Sequence, residues 1–448
     1  MSQSPADLTR ALLDAARKAG ADAADAVALD GTSVSIDVRA GQLEQAERAE
    51  GRDLGLRVLV GQRVASVSTS DTRPETLATL AERAVAMARE APEDPYVGLA
   101  DPDQLARDWD IAALELADPT AEPSASELED DARTAEAAAL AVEGVVQVQS
   151  ASASYSAQNV AIAATNGFEG AYSRTSRSRS CVASAGEGLK MERDYDGDGR
   201  TFQSDLRDAA EIGRIAGERA VDRLNPRRPK TGAYPVLYDE RIAASLIGHL
   251  SAATNGSSIA RGSSWLLNAM GEDVLPKGMS LREDPHRPRA ASSRPFDGEG
   301  LPTRKRVLVQ DGVLQGWTLD LANARKLGLE STGNAARGTS GGIGPACWNL
   351  ELTQGTQSRA DLMAQMGTGL LVTSMIGSTI NPNTGDYSRG AAGWWIENGA
   401  PVYPVSGVTI AGNLREMLKT LIPANDARPW LSRVVPSLLV EGLTLAGD

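Results

Sequence analysis

Aromatic residues, histidine, cysteine and positive charge are all scarce in this chain of 448 residues. Aromatic side chains make up 4% of it, and there are two histidines, His249 and His286, and two cysteines, Cys181 and Cys347. Two cysteines are too few for a disulfide framework. Two histidines also confine serine–histidine catalysis, or a metal site with imidazole ligands, to these two positions.

The charge balance and the lack of long apolar runs exclude further classes of partner. The formal net charge is −14, so the surface repels phosphate backbones, and we expect no nucleic-acid partner. The chain has no apolar run of about 18 residues, and its first residues lack the apolar segment of a signal peptide. We therefore expect no membrane contact and a cytoplasmic location, which also suits the few cysteines.

Common cofactor motifs are missing as well. The sequence contains no G-x-x-x-x-G-K-[ST] loop, and no G-x-G-x-x-G follows a predicted strand. We therefore expect no nucleotide and no other cofactor.

The remaining pattern predicts an α+β fold with two domains. In residues 1–225, amphipathic helical segments alternate with stretches of period two, which predicts N-terminal helices on an antiparallel sheet. The pattern occurs twice, so we expect two similar halves. Residues 226–448 hold a helix at 240–253 but are otherwise rich in short strands and turns, which predicts a β-rich C-terminal domain. The run "NPRRPK" at 225–230 marks the expected boundary.

The segment "DYDGDGRTFQSD" at 194–205 resembles a calcium-binding loop. Asp194, Asp196 and Asp198 match ligand positions 1, 3 and 5, and Asp205 falls on position 12. The usual Glu at position 12 and the preceding helix are both missing, however. Asp205 is equally well explained as the cap of the next helix.

The helix "DERIAASLIGHLSAA" at 239–253 has the outline of a metallopeptidase helix but only one suitable ligand, His249. A catalytic zinc site normally takes three protein ligands. Taken alone, His249 is expected to be a hydrogen-bonded helix residue in preference to a metal ligand. His286 lies in the charged loop "EDPHRPR", where a solvated residue is expected in preference to a catalytic one.

Three long blocks resemble the TldD/PmbA family, in particular its PmbA (TldE) branch. They are "TGNAARG" at 332–338, "NPNTGDYSRGAAGWWIENG" at 381–399 and "PVSGVTIAGNL" at 404–414. In the TldD branch the matching helix carries H-E-x-x-x-H, whose histidines bind a catalytic metal. Here that motif falls on "ASLIGH", so Ala244 and Ser245 replace the first His and the Glu, and His249 alone remains.

The resemblance implies the metal-free subunit of a TldD–TldE metallopeptidase that cleaves unfolded or extended peptides inside a chamber. It implies a TldD-type partner, a possible homodimer when the chain is alone, and an older association with modulation of DNA gyrase. The resemblance and the chemistry of the blocks give five candidates for peptide or partner binding: Asp386, Tyr387, Arg389, Trp394 and Asn334. For Asn334, and for Arg337 beside it, local hydrogen bonding is the alternative.

Two other functions stay open at this point. One is a self-contained hydrolase with a nonstandard metal site at His249 and Cys347. The other is a scaffold or chaperone-like peptide binder that never joins a peptidase.

Overall fold

A computed structural model describes residues 3–447, so the outer limits of the two predicted domains, 1 and 448, lie outside it. The helices are α1 Pro5–Ala19, α2 Pro74–Glu90, α3 Ile111–Leu114, α4 Ala125–Leu140, α5 Ala209–Asp222, α6 Glu240–Ala253, α7 Gly256–Ala260, α8 Leu321–Leu327, α9 Arg359–Met366 and α10 Leu414–Lys419. In the described part of the chain, no helix is long and apolar enough to cross a membrane.

The strands fall into one long-stranded sheet and a set of shorter ones. They are β1 Ala23–Arg39, β2 Gln42–Val60, β3 Arg63–Thr69, β4 Val145–Ala164, β5 Glu169–Ala185, β6 Glu192–Arg200, β7 Gly232–Tyr238, β8 Leu281–Glu283, β9 Arg306–Gln310, β10 Val313–Leu314, β11 Ala335–Ala336, β12 Gly344–Pro345, β13 Leu350–Leu352, β14 Gly369–Ile380, β15 Asp386–Glu397, β16 Ala400–Asn413, β17 Ile422–Pro423, β18 Arg433–Val434 and β19 Leu438–Ala446.

The first sheet is antiparallel, with the strand order β3-β2-β1-β4-β5-β6. Alternate residues of β1 point to the same face, and on that face Ala24, Ala26 and Ala28 pack against α1 and α2. Farther along the same face, Val34 and Ile36 pack against α4. The order helix, three strands, helix thus occurs twice, on either side of the β1–β4 pair. The first set is α1–β1–β2–β3–α2 and the second is α4–β4–β5–β6–α5.

The C-terminal region is built around a closed sheet. Its strand order is β16-β15-β14-β7-β19-β17, and an additional pairing of β16 with β19 closes it into a barrel. Helix α6 follows directly from β7 and buries Leu246, Ile247 and Leu250 in the core of this barrel. Two hairpins turn at Asp311-Gly312 and Asn398-Gly399, where both residues of each pair have positive φ, as such tight turns require.

Buried ion pairs join the first sheet to the C-terminal region. Asp25 on β1 receives hydrogen bonds from Arg57 on β2, with Nε at 2.8 Å, and also pairs with Arg337. Elsewhere, Asp194 on β6 pairs with Arg241 at the start of α6 at 3.1 Å. Burial removes these charges from water, so each depends on its partner.

These observations confirm the predicted α+β fold, with helices on an antiparallel sheet and a barrel-like C-terminal part. The domain limits at 225 and 226, and the idea of two similar halves, stay predictions.

Candidate functional site

The candidate site is built on the half-buried face of helix α6. The side chain of Asp239 caps the helix by accepting a hydrogen bond from the backbone N–H of Arg241. Leu246 and the other apolar residues occupy the buried side. The opposite side is half-buried and contains Ala244, Ser245, Gly248 and His249, which we call the cleft face.

His249 packs against a pair of tyrosines in the barrel. Its ring lies 5.9 Å from the ring of Tyr387, edge to face. The Tyr387 hydroxyl accepts a hydrogen bond from Tyr238 at 3.4 Å and contacts the sulfur of Met375 at the same distance. Nε2 of His249 and Oγ of Ser245 are buried and have no hydrogen-bond partner among residues 3–447. The cleft face therefore presents two polar atoms without a partner.

These residues do not fit a catalytic metal. Ala244 has no donor atom, and Ser245 is neither a good ligand nor a general base of the kind that metal-assisted hydrolysis uses. Within the described residues, no three His, Cys, Asp or Glu side chains come close enough together to hold a metal ion. His249 is therefore a single potential ligand without the others that a site requires.

Arg389 points toward the same cleft. It lies on β15 two residues after Tyr387, so both side chains leave the same face of the strand. The pairing of β14 with β15 skips Gly377 and Ser378, which form a bulge opposite Arg389. Gly377 has a φ of 68°, and its carbonyl accepts a hydrogen bond from Arg389 Nε at 2.7 Å. The bulge therefore holds the guanidinium in place.

A second guanidinium lies over α6 from the other side. Arg433 is exposed on β18, and a Cβ built on Gly248 would lie 3.3 Å from its Nη1. Neither Arg389 nor Arg433 has a carboxylate within 4.0 Å in the described part of the chain. By contrast, the arginines at the start of α6 are paired: Arg428 binds Glu240 at 2.7 Å, and Arg359 binds Asp239.

The local field at the cleft face is positive. Burial lowers the pKa of His249, and the Arg389 guanidinium lowers it further. A histidine with a lowered pKa is neutral at pH 7. Burial also raises the pKa of the Tyr387 hydroxyl, which therefore keeps its proton.

Asp386 lies in a compact exposed turn beside this cleft. One carboxylate oxygen accepts a hydrogen bond from the Thr384 hydroxyl at 2.6 Å, and the other accepts one from the Asn413 amide at 3.1 Å. These hydrogen bonds lower the pKa of Asp386. The turn thus has a fixed local structure, and whether it lines a chamber stays a prediction.

Asn334 cannot touch a peptide directly, because its side chain is fully buried. Its amide donates to Glu283 at 2.9 Å and to the carbonyl of Ala346 at 2.8 Å. These partners lie 51 and 12 residues away along the chain, so the amide joins separate segments and does not pair locally. Trp394 is half-buried against an apolar cluster that includes Leu362, so its role as a partner anchor stays a prediction.

The calcium-loop interpretation is wrong. Residues 192–200 form strand β6, and the spacing of two that suggested ligand positions puts Asp194, Asp196 and Asp198 on one face of that strand. This face meets arginines instead of a metal: Asp196 pairs with Arg219 at 2.8 Å.

Asp194 and Asp198 are likewise paired, with Arg241 and Arg200. Asp205 pairs with Arg289 at 3.1 Å. It is not a helix cap either, because Asp208 caps α5.

The other histidine and the cysteines do not form a second site. His286 contacts the Thr303 hydroxyl at 2.9 Å. Cys347 packs against the barrel core and contacts Thr318 Oγ1 at 3.3 Å, and burial raises its pKa to about 11. Cys181 is fully buried, and its pKa is raised to about 12. Neither thiol is activated as a nucleophile.

Sequence reasoning missed two residues of the cleft, Tyr238 and Arg433. Tyr238 is the last residue of β7, and its sequence context is that of any aromatic residue in a strand. Arg433 follows α6 by some 180 residues and belongs to no motif, so only the fold brings it to Gly248.

Three family models together match most of the chain. They are described as the PmbA/TldA metallopeptidase domain 1, central domain and C-terminal domain, and they match residues 24–88, 118–224 and 231–447. The metalloprotease PmbA of Escherichia coli O157:H7 is 35% identical over 95% of this chain and 93% of its own length.

Solved structures of similar fold agree with this match. A crystal structure of a putative modulator of DNA gyrase from Bacteroides thetaiotaomicron has a TM-score of 0.90 and 28% identity, and it covers 98% of each chain. TldE from Thermococcus kodakarensis has a TM-score of 0.84 at 22% identity, covering 98% of this chain and 100% of its own, which shows a shared fold. The chain therefore belongs to the TldD/PmbA metallopeptidase family, in its PmbA branch.

Proposed function

We propose that this chain is the non-catalytic subunit of a metallopeptidase that it forms with a TldD-type partner. The cleft face of α6 is the observation that carries this proposal. It keeps the helix and His249, but Ala244 and Ser245 stand at the positions where the TldD branch has a metal ligand and a base. The partner would then supply the metal and the hydrolysis.

The proposed contribution of this chain is to bind an extended peptide. Strand β14 pairs with β7 only at Leu370, Leu371 and Val372, because β7 ends at Tyr238 and the chain turns into α6. From Thr373 onward, β14 has a strand neighbour on one side alone, β15, in the described structure. Free N–H and C=O groups on such an edge suit an extended peptide, which binds by adding a strand.

The exposure of this edge also supports peptide binding. Ile376 is 78% exposed, and the residues that follow it to Thr379 are exposed as well. Next to the edge, a cavity of about 550 Å³ lies between the barrel and the first sheet, lined among others by Met375, Gly390 and Tyr195. An unfolded segment bound there would lie close to His249, whose neighbour Tyr387 contacts Met375.

The self-contained hydrolase is less well supported. Its site would need an activated Cys347, but burial raises the pKa of this thiol to about 11, which disfavours the thiolate. A scaffold that never joins a peptidase remains the second candidate, and a copurification test separates it from the first.

The test is peptidase activity on an unstructured, fluorescently labelled peptide. The chain is assayed alone, a purified TldD-type subunit alone, and the two mixed, with metal analysis of each fraction after size exclusion. We expect a joint complex, activity that is greatest in the mixture, and metal that follows the partner. Activity with stoichiometric metal in this chain alone would overturn the proposal, and failure to form a complex would favour the scaffold.

A further inference from the structure

The cleft face is a site with unbalanced positive charge in a strongly acidic protein. Arg389 and Arg433 flank it, and neither has an acidic partner within 4.0 Å among the described residues, although the chain has a net charge of −14. A guanidinium offers five N–H donors in a planar fork that matches a carboxylate. Arg389 uses Nε for the carbonyl of Gly377, which leaves its two terminal nitrogens for a ligand.

The groups between the two arginines suit the same ligand. His249 Nε2 and Ser245 Oγ are buried, one helical turn apart, and without a partner in the part of the chain that the structure describes. An imidazole N–H and a hydroxyl can both donate to an anion. Buried polar groups without a partner are costly, so a ligand that satisfies them gains affinity.

Arg433 is the exposed group at one end of the cleft face. Gly248 lets its guanidinium lie against the helix, since a Cβ there would be 3.3 Å from Nη1. The free edge of β14 runs beside Arg389, since the bulge at Gly377 belongs to that edge. A strand added to this edge would therefore bring its end or a side chain to the guanidinium of Arg389.

We infer that the cleft face, with Arg389 and Arg433 on either side of Ser245 and His249, binds a carboxylate of the peptide. This inference rests on the proposed function, because it names the chemical group that the peptide-binding subunit recognises. The carboxylate comes from the peptide's C-terminus or from an acidic side chain. The site that holds a metal in the TldD branch is then an anion site in this chain.

The test is direct binding of labelled unstructured decapeptides to the full-length chain, measured by fluorescence anisotropy. Three peptides share one neutral sequence: one ends in a free carboxylate, one in an amide, and one in an amide with a single internal Glu. We expect the free acid to bind at least about tenfold more tightly than the plain amide, since charge-assisted hydrogen bonds are the strong ones. If only the free acid binds more tightly than the plain amide, the C-terminal carboxylate is the ligand. If the Glu peptide binds as tightly as the free acid, any carboxylate of the peptide can be the ligand.

Variants assign the preference to the two arginines. In the double variant Arg389→Gln with Arg433→Gln, the acid and the amide should bind equally, whereas Arg389→Lys should keep part of the preference. Arg214→Gln, on the exposed side of α5, is the matched control and should leave the preference intact. Circular dichroism and the thermal midpoint check that each variant is folded.

The outcomes separate this inference from the proposed function. Equal binding of all three peptides to the wild-type chain, or a preference that survives in the double variant, overturns the inference even if the mixture with a TldD-type subunit is an active peptidase. Absence of any peptide binding to the chain overturns it too. A preference that the double variant removes supports it, even if the mixture proves inactive and the proposed function fails.

Discussion

Asp25 is a single residue on which two arginines from distant parts of the chain depend. Burial alone would raise its pKa, but Arg337 and Arg57 outweigh burial and hold the pKa of Asp25 below its usual range. The ionised carboxylate is therefore the form that the fold stabilises. The stabilisation of the fold by ionised Asp25 is fully present above the pKa of an unfolded aspartate, about 3.9. It is lost as the pH falls from that value through the lower pKa of the folded state.

Replacing this carboxylate should destabilise the protein strongly. In Asp25→Asn two buried guanidinium groups lose their counter-charge, and we expect the free energy of unfolding to fall by about 3–5 kcal/mol. Chemical denaturation followed by circular dichroism measures the change. Glu169→Gln is the matched control, because its ion pair with Arg10 is exposed, and it should cost less than about 1 kcal/mol. Similar losses for both variants would contradict the role assigned to Asp25.

At the scale of elements, α4 and α5 pack unusually closely. A Cβ built on Gly213 of α5 would lie 1.9 Å from the carbonyl oxygen of Ala135 on α4, so only glycine permits this contact. Both helices lie on the half of the first sheet formed by β4, β5 and β6. The close approach lets small residues such as Ala216 and Ala139 fill the core beneath them.

Gly213→Ala should therefore destabilise the protein, although alanine ordinarily favours a helix by about 1 kcal/mol over glycine. We expect a net loss of about 1–3 kcal/mol, because α5 must move away from α4. Arg214→Ala, the next residue on the exposed side, should change stability by less than about 0.5 kcal/mol. Thermal unfolding of both variants gives the comparison; a stabilised Gly213→Ala protein would show that the helices separate freely.

Local pattern was enough to predict most elements but not their connections. The helical period predicted α6 at 240–253, and the stretches of period two predicted an antiparallel sheet in the N-terminal half. The aspartates at 194, 196 and 198 were misinterpreted because a spacing of two fits both a calcium loop and one face of a strand. The arginine partners of Asp194 and Asp196, such as Arg241, come from separate elements, and pairing over such distances leaves no local signal.

The same limit applied to the site. The sequence supplied His249 and Arg389 as candidates. It could not show that Arg389 lies close enough to lower the pKa of His249, or that Arg433 lies beside Gly248. The burial of Asn334 was equally invisible, because it depends on Glu283 some 50 residues earlier.

At the scale of the whole molecule, a buried acidic loop lies where the C-terminal region meets the first sheet. Asp297 accepts hydrogen bonds from three backbone N–H groups, which favours its ionised form. Glu299 has one such bond, from Leu321, and burial together with the charge of Asp297 raises its pKa. Glu299 is therefore the member of the pair that holds a proton. Phe296 of this loop packs on Val27 of the first sheet.

Stability should consequently depend on pH through Glu299. A raised pKa in the folded state means that its contribution is full below the unfolded pKa of about 4.3 and is lost as the pH rises through the folded value. We expect the thermal midpoint to fall between pH 6 and pH 9, and Glu299→Gln to reduce this fall. Glu416→Gln, on the surface helix α10, should leave it unchanged. If the thermal midpoint of Glu299→Gln falls with pH as steeply as that of the wild type, the pH dependence of stability comes from other groups.

The closure of the barrel has a consequence for how the protein is made. Strand β7 begins at Gly232, but its neighbours, β14 and β19, are synthesised more than 130 residues later. While the ribosome extends the chain, Val236 and Leu237 therefore have no lateral partners. The helix-covered first sheet needs nothing beyond residue 222 for its own elements and can fold early, since domains generally fold as units during synthesis. The barrel, by contrast, must wait until its last strand leaves the ribosome, and that interval is when the new chain is most vulnerable to aggregation.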